Sequence, residues 1–450
     1  MPRRLTEQYT LLASVSKWTV YASVVGVLTG ASTALFLDAL KWMTRVFTSV
    51  PSYFLLLPFT LLVSKLLVVW LAPDAEGHGT EKVIAAIHQR MGRIPLMVVP
   101  VKLVATVITL AGGGSAGKEG PAAQIGAGLS SAFASLVRMG DADRRKLAIC
   151  GVSAGFAAIF GTPIAGSLFG LEVLFLGQIL YEALFPSFVA GLTAFYVAHM
   201  LGATYFYGTI KELPAFNEGA MLKMIVLGAW CGLAAFLLIE GLDLAHRAFN
   251  SLPKNKVMAP LAGGMVLIAI TLLVSPQYLG LGLDTIENGL NGGVLPWGSF
   301  FWKTVATSVT LGSGGSGGIV TPIFFIGTGA GNIFAQLIGS PNLALYSAVG
   351  MVALLAGAAN TPISASVMAM EFFGNKIGPY AAIACIVSFL VVGHRSVYPS
   401  QILGMTKSAS IDVETGGPIG EMCGIKFNTR PKSLTGIIEK AYCWVRRRRK

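Results

Sequence analysis

The chain has 450 residues, 54% of them hydrophobic and only 12% charged, with a mean hydropathy of +0.69. Soluble domains carry about 25% charged residues, so a soluble enzyme, a disordered chain and a secreted disulfide scaffold are excluded. The 54 glycines and the net charge of +12, much of it at Arg3, Arg4, Arg446, Arg447, Arg448, Arg449 and Lys450, point to a polytopic helical membrane protein with basic cytoplasmic ends.

Residues 1–9 read as a cytoplasmic N-terminus. Apolar runs at about 11–37 and 53–72 are long enough to cross a bilayer, which takes about 20 residues. The first is too long for the apolar core of a signal peptide. Shorter apolar segments follow at 95–111, 120–138, 146–160 and 164–176, parted by glycine, proline or polar clusters. Another long run covers 183–202. The second half opens with long runs at 220–246 and 258–275, then breaks into 300–311, 319–338, 344–359, 363–374 and 379–394. Helices this short do not span lipid alone; they are tolerated where their ends are buried in protein or line a polar cavity. A more polar, basic tail of 408–450 is too short for a sizeable regulatory domain. With both termini cytoplasmic, the number of full crossings is even. Cys150, Cys231, Cys385, Cys423 and Cys443 show no metal or disulfide spacing, and the first three read as packing residues.

The halves repeat each other. Gly-Thr-Pro-Ile-Ala-Gly-Ser-Leu-Phe-Gly-Leu-Glu at 161–172 matches Asn-Thr-Pro-Ile-Ser-Ala-Ser-Val-Met-Ala-Met-Glu at 360–371. Pro121, Ile125, Gly126, Gly128 and Phe133 match Pro322, Ile326, Gly327, Gly329 and Phe334 at nearly the same offset. Duplicated halves with interrupted helices mark transport folds, with the substrate at the repeat interface.

Three glycine-rich stretches precede helix starts. Residues 112–118 fit a phosphate loop, but Glu119 stands where Ser or Thr would hold magnesium, and no α/β context surrounds it. The better reading takes Pro121 as a first-turn residue, with the glycines before it exposing backbone N–H groups to an anion. The construction recurs at 312–322, before Pro322, and at Glu76-Gly77-His78-Gly79-Thr80-Glu81. The alternative, that these glycines only permit close helix packing, explains one such stretch more easily than three. Convergent helix N-termini make a positive pocket that suits a small anion able to bind and still leave.

Gly117-Lys118-Glu119-Gly120-Pro121, with Gln124-Ile125-Gly126, resembles the G-(K/R)-E-G-P signature of the CLC family of chloride channels and proton-coupled chloride exchangers. Gly318-Ile319-Val320-Thr321-Pro322 resembles its G-x-F-x-P motif, and Gly77-His78-Gly79 stands where it has G-S-G. The resemblance covers about 15–405. It implies an all-α polytopic membrane protein of two inverted-topology repeats, 10–205 and 220–405, built from short, tilted and broken helices. About 18 helices per subunit and a homodimer with one pore per subunit are implied. It also implies a transporter rather than an enzyme, with chloride as substrate ion, protons as the second ion in exchangers, the lipid bilayer as surroundings, and neither cofactor nor nucleic acid. A prokaryotic plasma membrane fits the chain.

By that resemblance Glu119 is the gating glutamate, occupying an anion position when ionised and swinging away when protonated. His78, Gly79, Gly117, Lys118, Gly120, Gly318, Ile319, Val320 and Tyr398 form the anion-binding set, Tyr398 through its hydroxyl. Three departures matter. His78 replaces a serine, and a histidine N–H makes anion affinity or conductance pH-dependent unless the ring points into protein. Glu76, Glu81 and His88 have a spacing open to a metal but no functional need for one. Val320 replaces a phenylalanine and keeps its backbone amide. Val173 stands at the inner proton-site position and cannot accept a proton, which favours a passive channel over a proton-coupled antiporter. Glu172 and Glu371 read as capping or packing acids. A fluoride-selective relative is the third reading; an intramembrane enzyme lacks a nucleophile–base pair, and a scaffold has no use for convergent glycine-opened helices.

Overall fold

The computed structural model describes residues 3–205, 208, 210, 213–253, 255–422, 426, 427 and 436. The first half forms α1 (Arg3–Thr48), α2 (Leu57–Leu71), α3 (Thr80–Gln89), α4 (Val98–Ala111), α5 (Glu119–Leu136), α6 (Asp141–Phe160), α7 (Pro163–Glu172) and α8 (Leu184–Met200). The second forms α9 (Glu218–Asn250), α10 (Asn255–Leu273), α11 (Leu283–Leu290), α12 (Ser299–Gly312), α13 (Val320–Leu337), α14 (Leu343–Ala359), α15 (Pro362–Phe373) and α16 (Gly378–Val392). Sixteen α-helices thus form among the described residues, against the 18 that the resemblance implies. The chain enters through one unbroken α1, and the segment after α16 that carries Tyr398 runs as bends and a short strand.

Two-residue strands β1 (Phe175–Leu176) and β2 (Ile402–Leu403) pair in parallel and tie the end of α7 to that segment. Strands β3 (Ile411–Asp412) and β4 (Lys426–Phe427) pair antiparallel in the tail. Val413 and Ile419 of the tail pack with Leu176 and Leu403, so this part is docked on the helical body. Cys423, Cys443 and the basic run 446–450 lie outside the described residues. Cys150, Cys231 and Cys385 are buried and reduced, as packing residues.

Local chemistry explains why the helices are short. Gly161 (φ 75°) and Asn360 (φ 57°) close α6 and α14 in the left-handed conformation, and the proline two residues on starts the next helix. Seven helices among the described residues are long and apolar enough to cross a membrane. The stretch in α13 is 89% buried, against 33–50% in the other six, so α13 is a helix of the protein interior.

Both repeats use one packing scheme. A Cβ on Gly26 or Gly30 of α1 would lie 2.6 Å from Thr193 Cβ or 2.5 Å from Ala194 O of α8. Gly228 and Gly232 of α9 meet α16 as closely, at 2.6 Å from Ala384 O and 2.8 Å from Val391 Cβ. In lipid, such small-residue contacts let backbones approach and gain dispersion energy that bulkier residues would forfeit.

Contacts across the repeat interface are reciprocal. The Ser115 N–H donates to Thr310 Oγ1 at 3.0 Å, and that of Ser316 to Thr109 Oγ1 at 3.2 Å. Glu172 accepts from the N–H groups of Ile363 (3.0 Å) and Ser364 (2.8 Å) at the start of α15. Glu371 accepts from Ile164 (3.1 Å) and Ala165 (2.7 Å) at the start of α7. Each acid caps the other repeat's helix, a pattern that requires a two-fold pseudo-axis.

Candidate functional site

The helix starts of α5 and α13 meet at the pseudo-axis. The Gly117 N–H donates to Gly318 O at 2.7 Å, and the Gly318 N–H to Gly117 O at 2.6 Å. These two amides therefore join the loops and are not spare donors, which makes Gly117 and Gly318 positioning residues. A Cβ on Gly318 would lie 2.7 Å from Gly120 N, so glycine is what permits the junction.

Glu119 lies at this junction and is 2% exposed. Its Oε2 accepts from the N–H of Lys118 at 3.1 Å and of Thr321 at 3.1 Å, and its Oε1 from the Thr321 hydroxyl. The carboxylate thus occupies the space between two helix N-termini, one from each repeat. A Cβ on Gly117 would lie 2.5 Å from Oε2, and would expel it.

The third glycine stretch closes on the same place. Gly79 (φ 81°) packs on Gly120, where an added Cβ would meet Gly120 O at 2.6 Å, and a Cβ on Gly120 would meet His78 O at 2.0 Å. The His78 Nδ1 is buried without a hydrogen-bond partner among the described residues. Ile319 and Val320 are fully buried at the start of α13, and their side chains belong to the core. Tyr398 is also fully buried. Its hydroxyl faces that of Thr80, with the carboxylates of Glu119 and Glu81 in electrostatic reach, and finds no normal hydrogen bond among the described residues.

Glu76, Glu81 and His88 do not converge. Glu76 pairs with Lys65 at 2.6 Å, Glu81 accepts from Ser400 and His88 Nε2 meets Leu174 O at 3.1 Å. Val173 is fully buried at the end of α7, with its C=O accepting from Gln401 Nε2 at 3.1 Å.

A family model described as voltage gated chloride channel matches residues 59–393. The chain belongs to the CLC family. The chloride/fluoride channel protein of Pseudomonas syringae pv. tomato is 37% identical over 411 residues, covering 90% of each chain. The voltage-gated ClC-type chloride channel ClcB of Shigella flexneri is 30% identical over 305 residues, 65% of this chain and 72% of that one. Among solved structures, a CLC-type fluoride/proton antiporter superposes with a TM-score of 0.81 at 29% identity, over 86% of this chain and 98% of that one. A slow cyanobacterial chloride/proton antiporter gives 0.73 at 23% identity, over 83% and 94%, which supports the fold. The CLC chain is accordingly an anion transport protein of the membrane.

Sequence reasoning missed Thr321, the hydroxyl that binds Glu119, and two buried lysines. Lys102 donates to Ala75 O (3.0 Å) and Gly77 O (2.6 Å). Lys303 donates to Tyr278 O (3.2 Å) and Gly280 O (2.8 Å). Each holds the loop before α3 or α11 in shape. The only available signal was one lysine in each of two short apolar helices at matching repeat positions, since lysine is rarely buried without a partner.

Proposed function

We propose that this CLC chain moves a small halide along a path closed by the Glu119 carboxylate, and exchanges the halide for protons. The observation that carries this is the position of Glu119: a buried carboxylate accepting from Lys118, Thr321 N–H and Thr321 Oγ1, as an anion would. Protonation removes the charge that the helix N-termini hold, so the side chain leaves and a halide takes its place. One group then blocks the path and carries the proton. The likeness to a structure described as a fluoride/proton antiporter supports the coupling.

Passive conduction is the second reading, and Val173 favours it, since a buried valine relays no proton. Chloride is the first substrate to test and fluoride the second, because the 37% identical relative is described as a chloride/fluoride channel. The basic ends support cytoplasmic termini; a homodimer rests on the family likeness, and cross-linking in membranes tests the pairing. The deciding experiment is simultaneous halide and proton recording in liposomes, on wild type and Glu119→Gln. Uphill proton movement driven by a halide gradient, abolished in the variant, is expected. Halide flux with no proton movement in the wild type overturns exchange in favour of the passive reading, and an unaffected variant overturns the gate.

A further inference from the structure

One side chain holds both ends of the segment that carries Tyr398. We propose that Asn360 is a positioning residue of the halide path: its amide fixes where the Tyr398 hydroxyl stands, and the tail acts on that hydroxyl through it. The proposal rests on the anion-path reading above, with Tyr398 as a donor to the halide.

Asn360 closes α14 in the left-handed conformation, at φ 57°. The matching position of the first repeat is Gly161, at φ 75°, and glycine suits that conformation best. Asparagine tolerates it at some cost, so its presence in the second repeat calls for a use of the side chain. Asn360 is 1% exposed. Its Nδ2 donates to Arg395 O and to Gln401 Oε1, both at 2.9 Å. Its Oδ1 accepts from Lys407 Nζ at 2.6 Å. Gln401 in turn donates through Nε2 to Val173 O at 3.1 Å and Ala359 O at 3.2 Å. Every N–H of the two amides is spent, and a buried network that is fully satisfied holds one geometry.

Arg395 and Gln401 stand three residues before and three after Tyr398. Between them the Val397 N–H donates to Ala358 O at 2.9 Å, and the Gln401 N–H to Tyr398 O at 3.0 Å. The bridge is short and pinned at both ends. Its central ring is fully buried, with a hydroxyl that has no partner among the described residues. A buried hydroxyl in that state is matched by an acceptor from outside the chain, which a halide supplies. Lys407 ties the bridge to the tail. Its Nζ also donates to Phe389 O at 2.6 Å and lies 3.8 Å from the centre of the Phe389 ring, and its N–H donates to His394 Nε2 at 3.0 Å. Without the Nδ2 bonds the bridge regains backbone freedom, and the hydroxyl spends less time at halide distance.

The test measures halide flux from liposomes holding the full chain, with chloride and fluoride as probes, and reads half-saturating concentration and maximal rate separately. Asn360→Asp keeps the contact with Lys407 and loses both Nδ2 donors. Asn360→Gly keeps the left-handed φ and loses the whole amide. Each is expected to raise the half-saturating concentration about tenfold, with the maximal rate within about twofold. Tyr398→Phe is expected to do the same. Asn360→Asp added to Tyr398→Phe is expected to change nothing further, because the hydroxyl through which Asn360 acts is gone. Effects that multiply in the double variant overturn the proposal and make Asn360 a residue of fold stability. An unchanged half-saturating concentration in Asn360→Asp overturns it as well. A Tyr398→Phe protein that saturates like the wild type removes the hydroxyl from the path, and overturns the proposal while the Glu119 gate stands. A wild type that carries neither halide overturns the anion path, and the proposal with it.

Discussion

The starts of α5 and α13 have nearly the same backbone and different chemistry. Lys118 caps α5 at φ −105°, ψ −14°, and Ile319 caps α13 at φ −108°, ψ −14°. Gly113 (φ 100°) and Gly314 (φ 103°) turn the chain alike before them. Yet Glu119 in the first repeat corresponds to Val320 in the second, and Gly120 to Thr321. The fold is symmetric because each repeat solves the same packing problem. The site is asymmetric because one path needs one carboxylate and one set of donors to hold it. The second repeat supplies the Thr321 hydroxyl and N–H instead of a second acid, which would repel the first.

The largest effect that breaks this comparison is Glu119→Gln. Proton movement is expected to fall by about a hundredfold or more with halide flux retained, read by paired recording in liposomes.

Next is the lysine pair. Lys102→Met and Lys303→Met each free two buried carbonyls, and each is expected to cost about 2–4 kcal/mol, measured by thermal unfolding in detergent. Only Lys102 lies beside His78, so only Lys102→Met is expected to weaken halide binding as well, by about tenfold in calorimetry for a charge lost near the path. Equal halide affinities in the two variants would mean that the lysines serve structure alone.

Thr321→Val removes one donor from the gate. About 1.5 kcal/mol, or a tenfold shift toward the open gate, is expected in halide flux at constant pH. The mutual caps come after that: Glu172→Ala and Glu371→Ala are expected to lower stability by similar amounts, about 1–2 kcal/mol, with the proton-to-halide ratio unchanged. A changed ratio in Glu172→Ala would make that acid a proton carrier. The smallest effect is His78→Ser, with a few-fold change in halide order or pH profile. An unchanged order and profile would show that the ring only packs.

Much of this was legible in the residues. The pairing of 161–172 with 360–371 announced two repeats, and the Thr-Pro steps announced where helices stop and start, because φ and the missing N–H of proline act locally. Glu119 was legible because an acid amid glycines before a helix start has few other uses. Thr321 was not, since nothing near Thr321 in the chain tells that Glu119, two hundred residues away, turns toward it. Gly117 and Gly318 looked like anion donors and proved to bond each other, which only the pseudo-axis brings about. Glu81 offered only a metal-type spacing with Glu76 and His88, since nothing near Glu81 in the chain tells that Ser400 packs against it.

The sequence by itself determined the bilayer setting, the duplicated helix pattern and the glycine-opened helix starts, since hydropathy and backbone sterics are local properties. The tertiary structure alone decided which N–H groups are spent on the junction of the repeats, which helix is interior, and which acids stand near Tyr398. Those depend on the crossing of segments far apart in the chain, where distance in space sets the interaction and distance along the chain does not.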